Sequence, residues 1–410
     1  VTATQASEQR AANAITVTSF RNLWACNVAF FLVMNAQRFA FGWVVLDLLL
    51  KDEGSQGLIV FTLGAPTALL VLQAGVWADR LNRKKLLLST QLAGAAVMAT
   101  TAVVIGQGAV SFGWLVALTL LAGAATAIGQ PVRSSLVPAL VSREQLFSAI
   151  ALNAIAMTLS LILGPVLIKV VGDQFGFDGA FWFQAGLLII GSLFLTKVNI
   201  PDHERGEKRP IITETLEAVR HILDDKHLTT LFTLLFTASL TISPAVMVTV
   251  QAHVKDQFGR DAGDAAYPFA AMGVGMAISS FYLMRKGDMA NKGAVFQRAM
   301  MMGTVITFFI GLAPQFWQVI VLGGLMGLSG GFFINMNQGL IQANTPQHLM
   351  GRVMGVYTLV ANGLFPLGAL VLGIVATNVG TRATICGAAI VGFTVVTTTY
   401  VRNTELRNLS

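Results

Sequence analysis

Twelve apolar runs, each close to the length needed to cross a lipid hydrocarbon core, dominate this sequence of 410 residues. They fall at residues 23–50, 56–78, 86–106, 113–138, 147–171, 179–197, 228–252, 265–284, 295–313, 316–342, 352–378 and 381–401. A helix needs about 20 apolar residues to span a bilayer, so each run reads as one transmembrane α-helix. Composition agrees: only 11% of residues are charged, against about 25% in soluble domains, so the chain lacks the polar surface that water would demand. The 40 glycines fit helices that approach closely where no hydrophobic force separates helix from lipid.

The basic excess, a net charge of +7, lies in short segments between the runs. It therefore reads as membrane topology, with no nucleic-acid partner expected. One side holds Arg10, Arg21, Arg80, Arg83, Lys84, Lys85, Arg143, Lys197, Arg205, Lys208, Arg209, Arg220, Lys226, Arg285, Lys286, Lys292, Arg298, Arg352, Arg402 and Arg407, and the other only Lys51, Lys255, Arg260 and Arg382, with Lys169 nearby. The positive-inside rule places the first side, and both termini, in the cytoplasm. No cleavable signal peptide is visible, because residues 1–22 are polar and contain no apolar core. Cys26 and Cys386 lie inside apolar runs without a CxxC or Cys/His partner, so neither a disulfide nor a zinc site is expected.

The longest polar interval divides the runs into two sets of six. The expected organisation is a cytoplasmic tail (1–22), a six-helix bundle (23–197), a cytoplasmic linker (198–227), a second six-helix bundle (228–401) and a short tail (402–410). Within the linker, Ile212, Leu216, Val219 and Leu223 share one helical face, which predicts an amphipathic surface helix. The halves are also repeats. Leu136–Gly176 aligns without gaps on Leu340–Gly380, an offset of 204 residues that pairs Gly164 with Gly368, Gly176 with Gly380 and Gly123 with Gly327. The fold class expected is an all-α membrane protein of two pseudo-symmetric six-helix bundles.

The segment GVWADRLNRKKLL follows the second run. Its Gly75, Asp79, Arg80, Arg83, Lys84 and Lys85 match the pattern G-x-x-x-D-R-x-x-R-[KR]-[KR], and the sequence thereby resembles the major facilitator superfamily. In such transporters parallel repeats surround an axis along the membrane normal and substrate sits near the midplane between them. The resemblance implies that Asp79 is the pivot of a cytoplasmic latch, with Arg83 its neighbour and Gly75, Arg80 and Arg133 in the same gate region. Positive-inside anchoring accounts for part of the basic charge but not for Asp79. The fifth run contains SLILGPVLIKVVG, which resembles the antiporter motif G-x-x-x-G-P-x-x-G-G at Gly164 and Pro165, with Gly368 the repeat counterpart. Ser160, Ile168 and Lys169 stand where that motif carries small residues. Three further stretches, in the first run, across the fourth and fifth, and into the eleventh, resemble the branch of siderophore and macrolide exporters called transmembrane secretion effectors. The resemblance covers about residues 20–400.

Ionisable residues inside spans are functional candidates because each costs about 2.5–3.5 kcal/mol at a helix centre. Arg38 lies near the middle of the first run. Asp47, the only acid inside a run, is nine residues further, about 13.5 Å along the axis and half a turn out of phase, so the two are not expected to pair. Asp47 is the proton-coupling candidate, with a solvated helix end as the alternative. Lys169 is explained by snorkelling. Arg133 either holds an anionic substrate or faces the cytoplasmic interface. Among uncharged residues, Gln37, Asn153, Asn335, Asn337 and Gln338 are cavity candidates, the last three beside a Gly-rich run. Methionines such as Met272, Met276, Met326 and Met336 read either as adaptable lining or, the more frequent case, as packed or lipid-facing side chains.

An ATP-driven pump would carry a G-x-x-x-x-G-K-[ST] loop, which is not present, and no His, Ser or carboxylate set converges as catalysis requires. The sequence thus points to a secondary transporter exporting small organic molecules, with an importer or a lipid flippase of the same fold as alternatives. It is expected to need no cofactor beyond a proton gradient and to act as a monomer in the lipid bilayer of a bacterial inner membrane.

Overall fold

The computed structural model describes residues 14–199, 211–286, 291–347 and 349–403, with backbone alone described at 68, 71–80, 143, 144, 147 and 211–214. All regular structure among the described residues is helical. We number the long helices α1 (Thr18–Leu48), α2 (Glu53–Arg80), α3 (Arg83–Gly106), α4 (Phe112–Leu140), α5 and α6 (143–175 and 177–196), α7 (Ile211–Asp224), α8 (Lys226–Phe258), α9 (Ala262–Lys286), α10 (Lys292–Leu312), α11 (Phe316–Ala343), α12 (Met350–Val379) and α13 (Thr381–Arg402). With α7 set aside, these are twelve spanning helices, one for each apolar run.

Helix starts follow local chemistry. Asn82 and Ser111 accept from the Lys85 and Trp114 backbone N–H groups at the starts of α3 and α4, Ser142 and Gln145 form a capping box, and Asp225 accepts from His227 and Leu228 at the start of α8. The connections between α5 and α6 and between α12 and α13 are single glycines. Gly176 has φ 79°, ψ 176° and Gly380 φ 86°, ψ 156°, a region open essentially to glycine alone. These are two residues that the sequence repeat pairs.

The repeat also recurs in packing. A Cβ on Gly164 would lie 3.1 Å from the Ala36 backbone nitrogen, and one on Gly368 would lie 2.5 Å from the Leu240 carbonyl oxygen. Ala36 and Leu240 are themselves 204 residues apart, so the same helix pair meets at the same place in each half. Within α11, glycine makes room for α9: a Cβ on Gly327 would fall 1.8 Å from the Met272 carbonyl oxygen, and one on Gly323 2.7 Å from that of Pro268. The Gly-rich run beside the α11 amides is therefore a packing surface.

Contacts group the chain into two units, Val1–Phe41 with Leu69–Glu207 and Gly42–Ala68 with Lys208–Ser410. The first has a core of Phe20, Leu23, Cys26, Leu87, Val132, Leu136 and Leu195. The second is built around Leu228, Leu231, Phe296, Leu340, Ile341 and Val353. The end of α1 and the first part of α2 join the second unit through close contacts of Gly57 with Ala369 and of Gly64 with Pro366. Large side chains such as Leu121, Trp182, Leu193, Val321, Val371 and Ile390 remain half or more exposed, the surface expected where lipid is the solvent.

The linker helix is present, with its apolar face left exposed, as the lipid-facing side chains are, and the strip beside that face buried. Ala218 and Ile222 pack into the second core while Leu216, Val219 and Leu223 are exposed; Ile212 lies outside the described side chains. The helix is wedged against the bundle by a strip one residue round from its apolar face, and Glu217 pairs with Arg352 at 2.6 Å. Lys169 differs from expectation. It is 8% exposed and pairs with Asp173 at 2.6 Å, one helical turn on, so an ion pair rather than snorkelling accommodates it.

Candidate functional site

The signature loop is described only in part. The backbone is helical through Arg80, but Gly75, Asp79 and Arg80 lie outside the described side chains. Arg83 is half-buried. Lys84 donates to the Thr196 and Val198 carbonyls, each at 2.7 Å, and so caps the end of α6, where a cation meets the negative end of the helix dipole. Part of the basic run thus has a structural task besides anchoring.

The first unit assembles a polar network around Arg133. The residue is 2% exposed, deep in the bundle and not at an aqueous interface. Its Nη1 donates to Asn27 Oδ1 at 2.7 Å and to Cys26 Sγ at 3.3 Å, and its Nη2 donates to Gln91 Oε1 at 2.7 Å. Asn27 in turn donates to Asn153 Oδ1 at 2.8 Å, and the Cys26 thiol donates to Gln91 at 3.2 Å. The Phe30 ring centroid lies 4.0 Å from the guanidinium carbon, a cation–π contact. Gln37 reaches Thr126 Oγ1 at 3.5 Å, a weak bond, and lines a narrow crevice with Phe30, Gln91, Thr126 and Arg133. Three of the sequence candidates, Gln37, Asn153 and Arg133, therefore meet in one region. Arg38, next to Gln37 on the same helix, is exposed and does not line that crevice.

Asn27 and Gln91 were not singled out from the sequence. Their signal was available, since each is an amide inside an apolar run, but no spacing rule connects residues on α1, α3 and α4 before the bundle is assembled.

Asp47 is engaged in the second unit. It pairs with Lys255 at 3.0 Å and accepts from the Ala262 backbone N–H at 2.8 Å. The π-helical turn Val44–Leu48 that carries it frees local carbonyls, and Lys255 also donates to that of Leu46. Nearby Trp43 donates to Asp261, and buried Gln56 and Gln251 bond at 2.8 Å. His253 is fully buried, with Nδ1 3.1 Å from Thr381 Oγ1.

The three α11 amides do not converge. Asn335 is exposed and bonds Gly331 and Ser280, Asn337 is fully buried against the Leu231 carbonyl at 3.3 Å, and Gln338 is half-buried. Gly164 and Gly368 belong to helix packing, and Pro165 is buried beside Gly164.

The sequence matches the transmembrane secretion effector family over residues 11–409. Among curated proteins, it is 27% identical to the multidrug efflux pump Tap of Mycobacterium tuberculosis over 370 residues, covering 86% of this chain and 85% of that one. It is 22% identical to macrolide efflux protein A of Streptococcus pyogenes, with 77% and 79% covered, and 23% identical to the enterobactin exporter EntS of Shigella boydii, with 80% and 79% covered. Among solved structures, the nucleoside transporter NupG superposes with a TM-score of 0.72 at 15% identity, covering 93% of this chain and 98% of that one. A bacterial homologue of the lysosomal transporter Spinster superposes with 0.74 at 12%, covering 97% and 98%. With a family match spanning nearly the whole sequence and a repeat whose contacts recur at the same offset in both halves, the chain belongs to the transmembrane secretion effector family of major facilitator transporters.

Proposed function

We propose that this chain exports small organic molecules, of the kind represented by drugs and siderophores, by alternating access driven by the proton gradient. The observation that carries this reading is the match along residues 11–409 together with curated relatives named as efflux proteins over about four-fifths of the chain. The distribution of Lys and Arg supports cytoplasmic termini in a bacterial inner membrane. In this reading the protein acts as a monomer, Asp79 latches the cytoplasmic side, and Asp47 carries the coupling proton. Arg38 and the Gln37–Asn153 region supply contacts for substrate.

The test is the accumulation of ethidium, a macrolide and a catechol siderophore in cells expressing the protein or Asp79→Asn, with and without a protonophore. Lowered accumulation of at least one compound is expected, requiring Asp79 and vanishing when the gradient collapses. No change for any compound, with the protein present in the membrane, would overturn export and move the reading to import or lipid flipping.

A further inference from the structure

Arg133 has more donors than the protein around it uses. A guanidinium offers five N–H groups; three of them donate to Asn27, Cys26 and Gln91. Nε has no acceptor, and among the described residues no Asp or Glu pairs with the guanidinium. Its partners are two amide oxygens, a thiol sulfur and a ring, all neutral. Among the described residues, a full positive charge is thus enclosed in a low-dielectric bundle without a carboxylate partner, an arrangement that is costly unless something else neutralises it.

Helix packing does not require that charge, as the second half demonstrates. Asn337 stands 204 residues after Arg133, and its Nδ2 donates to the carbonyl of Leu231, which stands 204 residues after Asn27. The same junction between the first and fourth helices of a half is therefore tied by a cation in one unit and by a neutral amide in the other. What the first unit has in addition is charge and free donors.

The geometry points to Arg133 as the binding site for an anionic group, a carboxylate carried by an organic substrate. The free Nε–H and the remaining Nη2–H lie on neighbouring nitrogens of one rigid planar fork, so that a single carboxylate oxygen seated between them can accept from both. Asn27 and Gln91 hold the guanidinium in place. Beside it the crevice has room for about one water molecule, the size of one carboxylate oxygen. In the topology proposed above, Arg133 lies seven residues, about 10 Å, from the cytoplasmic end of α4, within reach of a solute arriving from the cytoplasm. That the anion belongs to a transported substrate rests on the export reading; the anion site itself does not.

The test is equilibrium binding to the purified full chain in detergent, followed by intrinsic tryptophan fluorescence and calorimetry, with 1-naphthoate and its neutral analogue 1-naphthamide. Naphthoate is expected to bind at least tenfold more tightly than the amide. Arg133→Asn, which copies the second half, should abolish that preference, while Arg133→Lys, which keeps the charge but loses the fork, should retain part of it; monodisperse elution and a cooperative melt establish folding of each. Equal binding of the two probes by the unaltered protein would overturn the proposal without reference to any variant. Binding of inorganic phosphate that depends on Arg133, without any naphthoate preference, would overturn the assignment to an organic substrate. Binding is independent of transport direction, so failure here and failure of the accumulation experiment are separate results.

Discussion

Asp47 and Lys255 account for each other: an acid and a base, 16% and 32% exposed, meet at 3.0 Å where either alone would be a poorly solvated charge. Removing the base should therefore cost more than an exposed pair is worth; Lys255→Ala is expected to destabilise the protein by about 1–3 kcal/mol, read as a lower melting temperature in detergent. If Asp47 carries the coupling proton, Asp47→Asn should abolish gradient-driven transport; transport unaltered across a pH series would remove Asp47 from that role. Asp52, in the loop before α2, illustrates a milder effect. Hydrogen bonds from the Ser55 side chain and backbone hold its carboxyl below the usual carboxylate range. A depressed carboxyl contributes stability above its unfolded value that is lost as pH falls through the folded one. Asp52→Ala should accordingly melt below the parent at pH 7, with the difference closing below about pH 4.

At the scale of helices, glycine decides which elements can touch. The Gly368 position faces the Leu240 carbonyl at 2.5 Å, whereas Gly164 faces Ala36 at 3.1 Å, so the two members of one repeat pair are not equally tight. Gly368→Ala should destabilise by about 1–3 kcal/mol and Gly164→Ala by less, in thermal unfolding of the purified protein. Gly380→Ala is also expected to destabilise, by about 1–2 kcal/mol, for a different reason: nothing lies within 4 Å of its Cβ position, but its φ is 86°. For the linker helix, the exposed Glu217–Arg352 bridge should contribute at most about 1 kcal/mol. The buried Ala218 and Ile222 should matter more, Ile222→Ala costing about 2–5 kcal/mol.

At the scale of the molecule, twelve spans, two sets of six and the exact repeat offset were all legible in the sequence. The reason is physical: a bilayer imposes one length and one polarity on every spanning helix, and a repeat is readable wherever both copies meet the same packing demand, as at Gly164 and Gly368 or Gly176 and Gly380. The signature residues and the family were legible for a related reason, since they are contiguous along the chain. Tertiary structure alone decided the partners. Sequence periodicity marked the apolar face of α7, and the bundle adds a second strip, Ala218 and Ile222, because the helix is also seated by contacts with α12. Sequence placed Lys169 at a span end, but the next turn of its helix supplies Asp173. Above all, Arg133 was visible as a charge in a span, while its meaning depended on Asn27 and Gln91, 106 and 42 residues away, and on there being no carboxylate partner among the described residues. Composition and hydropathy specify how often a polar residue enters the membrane; only the assembled bundle specifies which groups it meets there, because those groups come from different helices and share no spacing along the chain.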